Sequence, residues 1–168
     1  MKLDRIPGCL PDGSVNVLVE SPRGSRTKYE YDEDLDVMVF DRALHAAVYF
    51  PAGYGFVPST RGSDGERLDA LVLGDEPAFP GCLARVRVLG VLAIATGHGP
   101  EHKLLGAPVR EPRFAEYQDV ADLPAHLLKE IEHFFEVYRE LEGKDMASLG
   151  WEGVERARAV LDEAIKER

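Results

Sequence analysis

The sequence predicts an α+β fold, a compact antiparallel OB-like β-barrel with C-terminal helices packed outside it. Short runs rich in β-branched and aromatic residues fill the first two thirds of the chain, and turn residues separate them about every 8–12 residues. The last third changes to helical periodicity, which is typical of a barrel followed by packed helices. Because 168 residues are enough to bury one core, we expect residues 1–168 to form a single domain.

Six segments have the composition and length of strands. They are VNVLVE (15–20), TKYEY (27–31), DVMVF (36–40), LDALVL (68–73), ARVRVLGVLAIA (84–95) and KLLGA (103–107). Polar and apolar residues alternate in ARVRVLG, which predicts a strand with one exposed face. The Pro- and Gly-rich segments at 49–58 and 74–81 are expected to be connections, and the acidic run DEDLD (32–36) is expected to be a hairpin turn.

Two helices are expected near the C-terminus. Between residues 124 and 142 the apolar side chains recur at helical spacing and form one broad apolar stripe. Pro124 suits the first turn of this helix, and Gly143 suits its end. Residues 151–166 show the same period, so a second amphipathic helix is predicted there.

The charge of the chain limits its partners. With 30 acidic and 20 basic residues the formal net charge is −10, and such a surface repels nucleic acid and anionic membranes. We therefore expect neither of them as a partner, and single-strand binding by the barrel is disfavoured for the same reason. A small anion remains compatible with this charge if metal cations or a few basic side chains offset the field.

The cysteines and the N-terminal segment indicate a cytoplasmic protein. Cys9 and Cys82 are far apart and form no CxxC motif, so neither a disulfide framework nor a zinc knuckle is indicated. The N-terminal segment contains Asp4 and Pro7 where a secretory signal has a long apolar stretch. No segment approaches the length and hydropathy of a membrane span.

The segment RGSDGERLDALVL (61–73) gathers three carboxylates, those of Asp64, Glu66 and Asp69, just before an apolar run. A polar turn that faces water explains this pattern, and so does a site that collects a cation. Carboxylate oxygens are hard ligands of the kind that Mg²⁺ prefers, together with water and substrate phosphate oxygens. The segment alone leaves both interpretations open.

Charged residues also occur two apart, so both side chains of a pair project from one face of a strand. These pairs are Lys28 with Glu30, Asp64 with Glu66, and Glu101 with Lys103. Glu20 ends the preceding strand, and Arg42 follows the next one. The pattern predicts either a cavity lined with both signs of charge, which would suit phosphate, or cross-strand ion pairs on a solvated face.

Six segments follow one another in an order that matches a known family. KYEYD carries a K-x-E strand, FDR an arginine, YFPAGYGFVP an aromatic Pro/Gly segment, and DGERLD three spaced carboxylates; EHKLLGAP and HFFEVYRELE come next. Over nearly the whole chain these segments resemble the family I soluble inorganic pyrophosphatases. The resemblance implies an OB-like barrel that hydrolyses pyrophosphate to two phosphates by a metal-activated water, with Mg²⁺ as cofactor, and that self-associates into a homo-oligomer.

The resemblance also implies a role for each of a dozen residues. The metal ligands would be Asp64, Asp69, Glu101 and Glu66, of which Glu66 would also position and deprotonate the attacking water. The groups that bind phosphate would be Lys28, Arg42, Lys103, Tyr138 and Arg139, with Lys28 and Arg42 also catalytic. Tyr54 would contact the substrate and hydrogen-bond near the nucleophile. Glu20 and Glu30 would be carboxylates linked to the metal or to its ligands.

Several positions depart from the family pattern. Thr96 stands where the family has a metal-binding aspartate, Glu66 and Glu101 replace aspartates, Arg67 replaces a proline, and Arg139 replaces a lysine. A carboxylate displaced by about 1 Å can cost much of the rate, and a threonine hydroxyl is a weaker Mg²⁺ ligand than a carboxylate. Two functions therefore stay open: Mg²⁺-dependent pyrophosphate hydrolysis, and a catalytically impaired or altered-substrate protein that binds phosphate-containing ligands.

Overall fold

The computed structural model describes residues 3–62 and 65–166 of the chain. The strands of the described part are β1 (Val15–Ser21), β2 (Thr27–Asp32), β3 (Val37–Ala43), β4 (Gly53–Phe56), β5 (Asp69–Val72), β6 (Leu83–Thr96), β7 (Gly99–Pro108) and β8 (Ala147–Gly153). The α-helices are α1 (Ala125–Val137) and α2 (Val154–Lys166). Neither helix, nor any other in those ranges, is long and apolar enough to cross a bilayer.

Five strands close into a ring, which confirms the predicted OB-like barrel. The order β1-β4-β5-β7-β6 returns to β1 because the first part of the long strand β6 pairs with β1, and its second part pairs with β8. The pairs are antiparallel except β5–β7, which is parallel. Strands β2 and β3 form a separate two-stranded sheet, here called the ribbon, with Asp32 and Val37 paired at its tip.

Strand β4 was not predicted, because it lies inside the Pro- and Gly-rich segment 49–58 that was expected to be a connection. The glycines of the strand sequence GYGF are the reason why it pairs. A Cβ added to Gly55 would lie 1.9 Å from the carbonyl oxygen of Leu18 on β1, so the two strands approach this closely only with glycine there. Strand β4 therefore holds Tyr54 in the barrel wall.

The C-terminal helices are present, but their bounds differ from the prediction. Helix α1 ends at Val137 instead of residue 142, and a short 3₁₀ turn over Glu140–Glu142 follows, which Gly143 ends in the left-handed conformation with φ 72°. The second helix begins at Val154 instead of residue 151, because residues 151–153 belong to β8 and pair with β6. Tertiary pairing overrides local periodicity at both positions.

Alternate residues of the barrel strands bury into two apolar clusters. On β5, the side chain of Leu71 packs in the cluster that includes Phe135 of α1. Its neighbours Ala70 and Val72 pack in the cluster that includes Leu161 of α2. Because neighbouring side chains of a strand point to opposite faces, one helix packs on each cluster. Asp69, the first residue of β5, lies at the end of the strand that borders the site.

Candidate active site

A cavity of about 820 Å³ lies between the ribbon and the ends of β5 and β7. Of the twelve residues singled out in the sequence, eleven line it: Glu20, Lys28, Glu30, Arg42, Tyr54, Glu66, Asp69, Glu101, Lys103, Tyr138 and Arg139. The twelfth, Asp64, lies outside the described residues. The structure thus brings together residues spread over 120 positions of the chain, and their individual roles stay predictions.

Lys103 is the buried centre of the site, with only 1% of its surface exposed. The parallel register of β5 and β7 places Asp69 beside Lys103, and Lys103 Nζ lies 2.5 Å from Asp69 Oδ2 and 3.0 Å from Glu101 Oε2. Burial by itself would lower the pKa of Lys103, but the two carboxylates outweigh burial and hold this pKa above its usual value. Lys103 therefore stays charged and fixes the two carboxylates on one side of the cavity.

Glu20, the last residue but one of β1, is half-buried, and its Oε1 accepts a hydrogen bond of 2.8 Å from the backbone N–H of Tyr31. Burial raises the pKa of Glu20 to about 7, and the negative charge of Asp69 adds to this shift against the hydrogen bond. Burial is the main reason why this carboxyl group keeps its proton to a higher pH than an exposed glutamate.

The ribbon carries the cations that face this acidic wall. Lys28 stands opposite Arg42 in the β2–β3 register, and its Nζ makes an ion pair with Glu30 and another, of 3.3 Å, with Asp41. The contact with Glu30 confirms that Lys28 and Glu30 project from one face. The side chain of Lys28 is 15% exposed, so its charge is directed along the cavity and is only partly screened by water.

Arg42 is fixed by two carboxylates, which sequence reasoning did not single out. Its Nε and Nη2 donate to Glu142 Oε1 at 2.9 and 2.8 Å, and its Nη1 donates to Asp41. Glu142 lies one hundred positions further along the chain, in the 3₁₀ turn after α1, so no local pattern could have joined it to Arg42. Asp41 could have been found from its place beside Arg42 in the FDR segment.

Two phenols complete the wall of the cavity. Tyr54 is almost fully buried, with its ring stacked on Phe50 at 5.7 Å between centroids. Burial, followed by the negative charge of Asp69, raises the pKa of Tyr54 well above its usual value, and burial likewise raises the pKa of Tyr138. Both hydroxyl groups therefore remain protonated at neutral pH and are hydrogen-bond donors.

Comparison with known proteins shows to which family the chain belongs. A family model described as inorganic pyrophosphatase matches residues 17–168. The chain belongs to the inorganic pyrophosphatase family. This confirms the resemblance seen in the sequence motifs and the fold that the resemblance implied.

Individual relatives support the same assignment. An inorganic pyrophosphatase of Nostoc sp. is 42% identical over 166 residues, which cover 99% of this chain and 98% of the relative. Another, of Methanosarcina mazei, is 46% identical over 148 residues, which cover 88% of each chain. The crystal structure of inorganic pyrophosphatase from Thermus thermophilus superimposes with a TM-score of 0.95 at 37% identity, covering 99% of this chain and 98% of that one.

Thr96 is the main departure from the family pattern, and its side chain has a structural use. The hydroxyl Oγ1 donates to the carbonyl oxygen of Gly99 at 2.9 Å and accepts from the N–H of His98 at 3.2 Å. It closes the β6–β7 turn and is not among the residues that line the cavity. The carboxylate that reaches the cavity from this hairpin is that of Glu101.

Arg139, which the sequence resemblance places where the family has a lysine, lines the cavity. Its Nε is 3.5 Å from Glu142 Oε2, close enough for an ion pair, but this buried Nε lacks the geometry of a hydrogen bond to any described residue. The same Glu142 that fixes Arg42 therefore also attracts Arg139. Glu142 thus brings the guanidinium groups of Arg42 and Arg139 to one side of the cavity.

The carboxylates suit a divalent cation such as Mg²⁺. Within residues 3–62 and 65–166, no three carboxylate, imidazole or thiol side chains converge closely enough to enclose a metal by themselves. Mg²⁺ requires less, because one or two carboxylates with water and substrate phosphate oxygens suffice. Asp69 and Glu101 supply two such carboxylates around Lys103 Nζ.

We expect Glu20 to make the metal-free protein less stable at higher pH. Its carboxyl pKa is about 7 when folded against an ordinary 4.5, so between these values the folded state binds more protons and stability falls as pH rises. Glu20→Gln keeps an acceptor for the Tyr31 N–H but cannot ionise. The variant should match the wild type near pH 4 and exceed it by on the order of 2 kcal/mol near pH 8.

Urea unfolding in EDTA at a series of pH values measures this difference. Glu116→Gln is the matched control, because Glu116 is exposed and away from the cavity. It should keep the wild-type dependence of stability on pH. If the free energy of unfolding depended on pH equally in the wild type and in Glu20→Gln, Glu20 would not be the group that destabilises the folded state at higher pH.

Proposed function

We propose that the chain hydrolyses inorganic pyrophosphate to two phosphates in this cavity, as one domain and with Mg²⁺ as its metal. As a member of its family it is an inorganic diphosphatase. The observation that carries the proposal is that one cavity gathers carboxylates and cations of both kinds. Asp69 and Glu101 surround Lys103 at the ends of β5 and β7, and the ribbon adds Lys28 and Arg42, each paired with carboxylates of its own.

Asp69 and Glu101 would hold the metal, together with Glu66 and, from its place in the sequence, Asp64. Bound Mg²⁺ would lower the pKa of a coordinated water to yield a nucleophile near neutral pH, and it would shield phosphate charge. Lys103 prepares this wall, because its ion pairs orient the Asp69 and Glu101 carboxylates before any ligand enters.

The phosphate groups would be bound from the ribbon and from the end of α1. A guanidinium has five N–H donors, and Glu142 and Asp41 use only some of those on Arg42. The remaining donors of Arg42, with Arg139 and the protonated hydroxyl of Tyr138, are able to bind phosphate oxygens. Their positive charge would stabilise the negative charge that develops on the leaving phosphate when the P–O–P bond breaks.

Glu66 and Tyr54 would act on the attacking water. Glu66 lies at the exposed edge of the cavity, where its carboxylate would accept the proton that the water loses. Tyr54 is fixed in the barrel wall by stacking on Phe50, and its hydroxyl would donate a hydrogen bond near the nucleophile. A rigid donor of this kind orients the water without needing to reorganise.

Asp69→Asn tests both the metal site and the activity. The variant keeps the size of the side chain but loses a charge that lies beside Lys103, so Mg²⁺ affinity by calorimetry should fall by about tenfold or more. Phosphate release from pyrophosphate should fall by about 100-fold. Asp75→Asn is the control, since Asp75 is half-exposed and pairs with Arg113 at the surface.

Two results would count against this assignment. Unchanged Mg²⁺ affinity in Asp69→Asn would remove Asp69 from the metal site. A wild-type protein that releases no phosphate from pyrophosphate at any Mg²⁺ concentration would overturn the proposed reaction and favour a protein that only binds phosphate-containing ligands.

Thr96→Asp distinguishes full activity from an impaired or altered-substrate protein. Aspartate cannot donate to the Gly99 carbonyl as Thr96 does, and it adds a negative charge near Glu101. We expect the Mg²⁺ concentration that gives half-maximal hydrolysis to fall by about three- to tenfold. Thr96→Asn loses the same hydroxyl without adding charge, and it should show no such fall. An equal response of the two variants would mean that the missing carboxylate does not limit metal binding.

We also propose that the chain forms a homo-oligomer in the cytoplasm. Large apolar side chains such as Phe40, Tyr49, Phe79 and Leu149 are more than half exposed, which is common at interfaces between subunits. The half-buried Cys9 and Cys82 are both unpaired, as suits a reducing compartment, and cell fractionation checks the location. Sedimentation velocity should show a species heavier than one chain of 18.6 kDa, and a single species of that mass would contradict the oligomer.

A further inference from the structure

Arg67 joins the ribbon to the acidic segment that precedes β5. Its guanidinium makes an ion pair with Glu33 in the turn of the ribbon, and its Cζ lies 4.9 Å from the ring centroid of Phe56 on β4. The Arg67 side chain is only 13% exposed although it is charged. Both Arg67 and Glu33 line the cavity, but neither belongs to the residues that hold the metal or the phosphates.

Glu33 is shared between two arginines. One carboxylate oxygen contacts Arg67, and the other lies 3.7 Å from Nη2 of Arg61. Arg61 in turn donates from Nη1 to the carbonyl oxygen of Gly65 at 2.8 Å. A single carboxylate on the ribbon therefore contacts Arg61 and Arg67, and in the sequence Glu66 directly precedes Arg67 while Asp69 follows two residues after it.

The contact matters because the ribbon is a separate sheet. Its two strands pair with each other and not with the barrel strands within the described chain, so side chains fix its distance from the acidic wall. Along β1, Glu20 Oε1 and Ser21 Oγ accept hydrogen bonds from the backbone N–H groups of Tyr31 and Tyr29, and Arg42 joins the open end of the ribbon to Glu142 in the 3₁₀ turn after α1. The ion pair of Glu33 with Arg67 joins the tip of the ribbon to the segment that precedes β5.

We infer that Arg67 is a positioning residue, which with Glu33 fixes the phosphate-binding ribbon at a set distance from the carboxylates that hold the metal. The inference rests on the proposed function, since both walls must contact one metal–phosphate complex. Arginine suits this role better than lysine, because its planar group stacks on Phe56 while its donors contact Glu33. Loss of the contact leaves Lys28 and Asp69 intact but lets the tip of the ribbon shift relative to the segment that precedes β5.

A positioning role has a different signature from a structural one. Partly exposed ion pairs stabilise folding little, so Arg67→Ala should change the melting temperature only slightly. It should instead weaken the binding of inorganic phosphate in the presence of Mg²⁺ by about tenfold, because a displaced ribbon contacts the metal–phosphate complex less well. The KM for pyrophosphate should rise by a similar factor, and kcat should change less.

The experiment uses Arg67→Ala, Glu33→Gln and the double variant of the full chain. Phosphate binding is measured by calorimetry with saturating Mg²⁺, and KM and kcat by phosphate release. If the two residues act through each other, Glu33→Gln should reproduce the effect of Arg67→Ala, and the double variant should be no worse than either. Arg67→Lys should recover part of the affinity. Arg113→Ala removes a surface pair with Glu111, and it should behave as the wild type.

Three outcomes would overturn the inference. The first is unchanged phosphate affinity and KM in Arg67→Ala. The second is a loss in Arg67→Ala that Glu33→Gln does not share, because Arg67 would then contact the anion directly. The third is a double variant whose loss of phosphate affinity equals the sum of the two single losses, because the two residues would then act independently. If the wild type released no phosphate from pyrophosphate, the proposed reaction would fail, and phosphate calorimetry alone would still decide the role of Arg67.

Discussion

The burial of one ammonium group governs how this site is built. A charged lysine inside a protein is costly unless carboxylates pair with it, and Lys103 satisfies this condition with Asp69 and Glu101. The pairing requires the register of β5 against β7, since a slip of one residue would turn Lys103 to the opposite face. The parallel pair of the barrel thus places Asp69 beside Lys103, and Glu101 reaches the same ammonium from two residues earlier on β7.

The same arrangement gives the cavity its electrostatic character. Asp69 and Glu101 already neutralise Lys103, so the nearby carboxyl of Glu20 lies in a negative field, and burial together with this field raises its pKa to about 7. A phosphate anion would meet repulsion at this wall unless a divalent cation came with it. Across the cavity, Lys28 and Arg42 attract the anion. The walls favour a metal–anion complex over either partner alone.

The sequence predicted those parts of the site that follow from local spacing. Strand period placed Lys28 beside Glu30 and Glu101 beside Lys103, and motif order brought distant residues to one cavity. The pairing of Arg42 with Glu142 could not be predicted, because it joins a strand to a 3₁₀ turn one hundred positions away. Strand β4 was missed because its glycines resemble a loop, although close approach to Leu18 is the reason for Gly55. These features depend on tertiary contacts that local composition does not encode.

Two departures from the family's signature both reduce the negative charge that the chain carries around the carboxylates. Where the family has an aspartate, Thr96 supplies a neutral hydroxyl that closes the β6–β7 turn. Where the family has a proline, Arg67 adds a positive charge at the cavity. At these two positions the chain carries two charge units less negative charge than the signature of the resemblance would give it, while Glu66, Glu101 and Arg139 preserve the charges of the residues they replace. Thr96 does not line the cavity and Arg67 is paired with Glu33, so neither is placed to bind the anion. Their effect would be on the metal, because less negative charge near the carboxylates attracts a divalent cation more weakly, and the metal–anion complex would form only at a higher metal concentration.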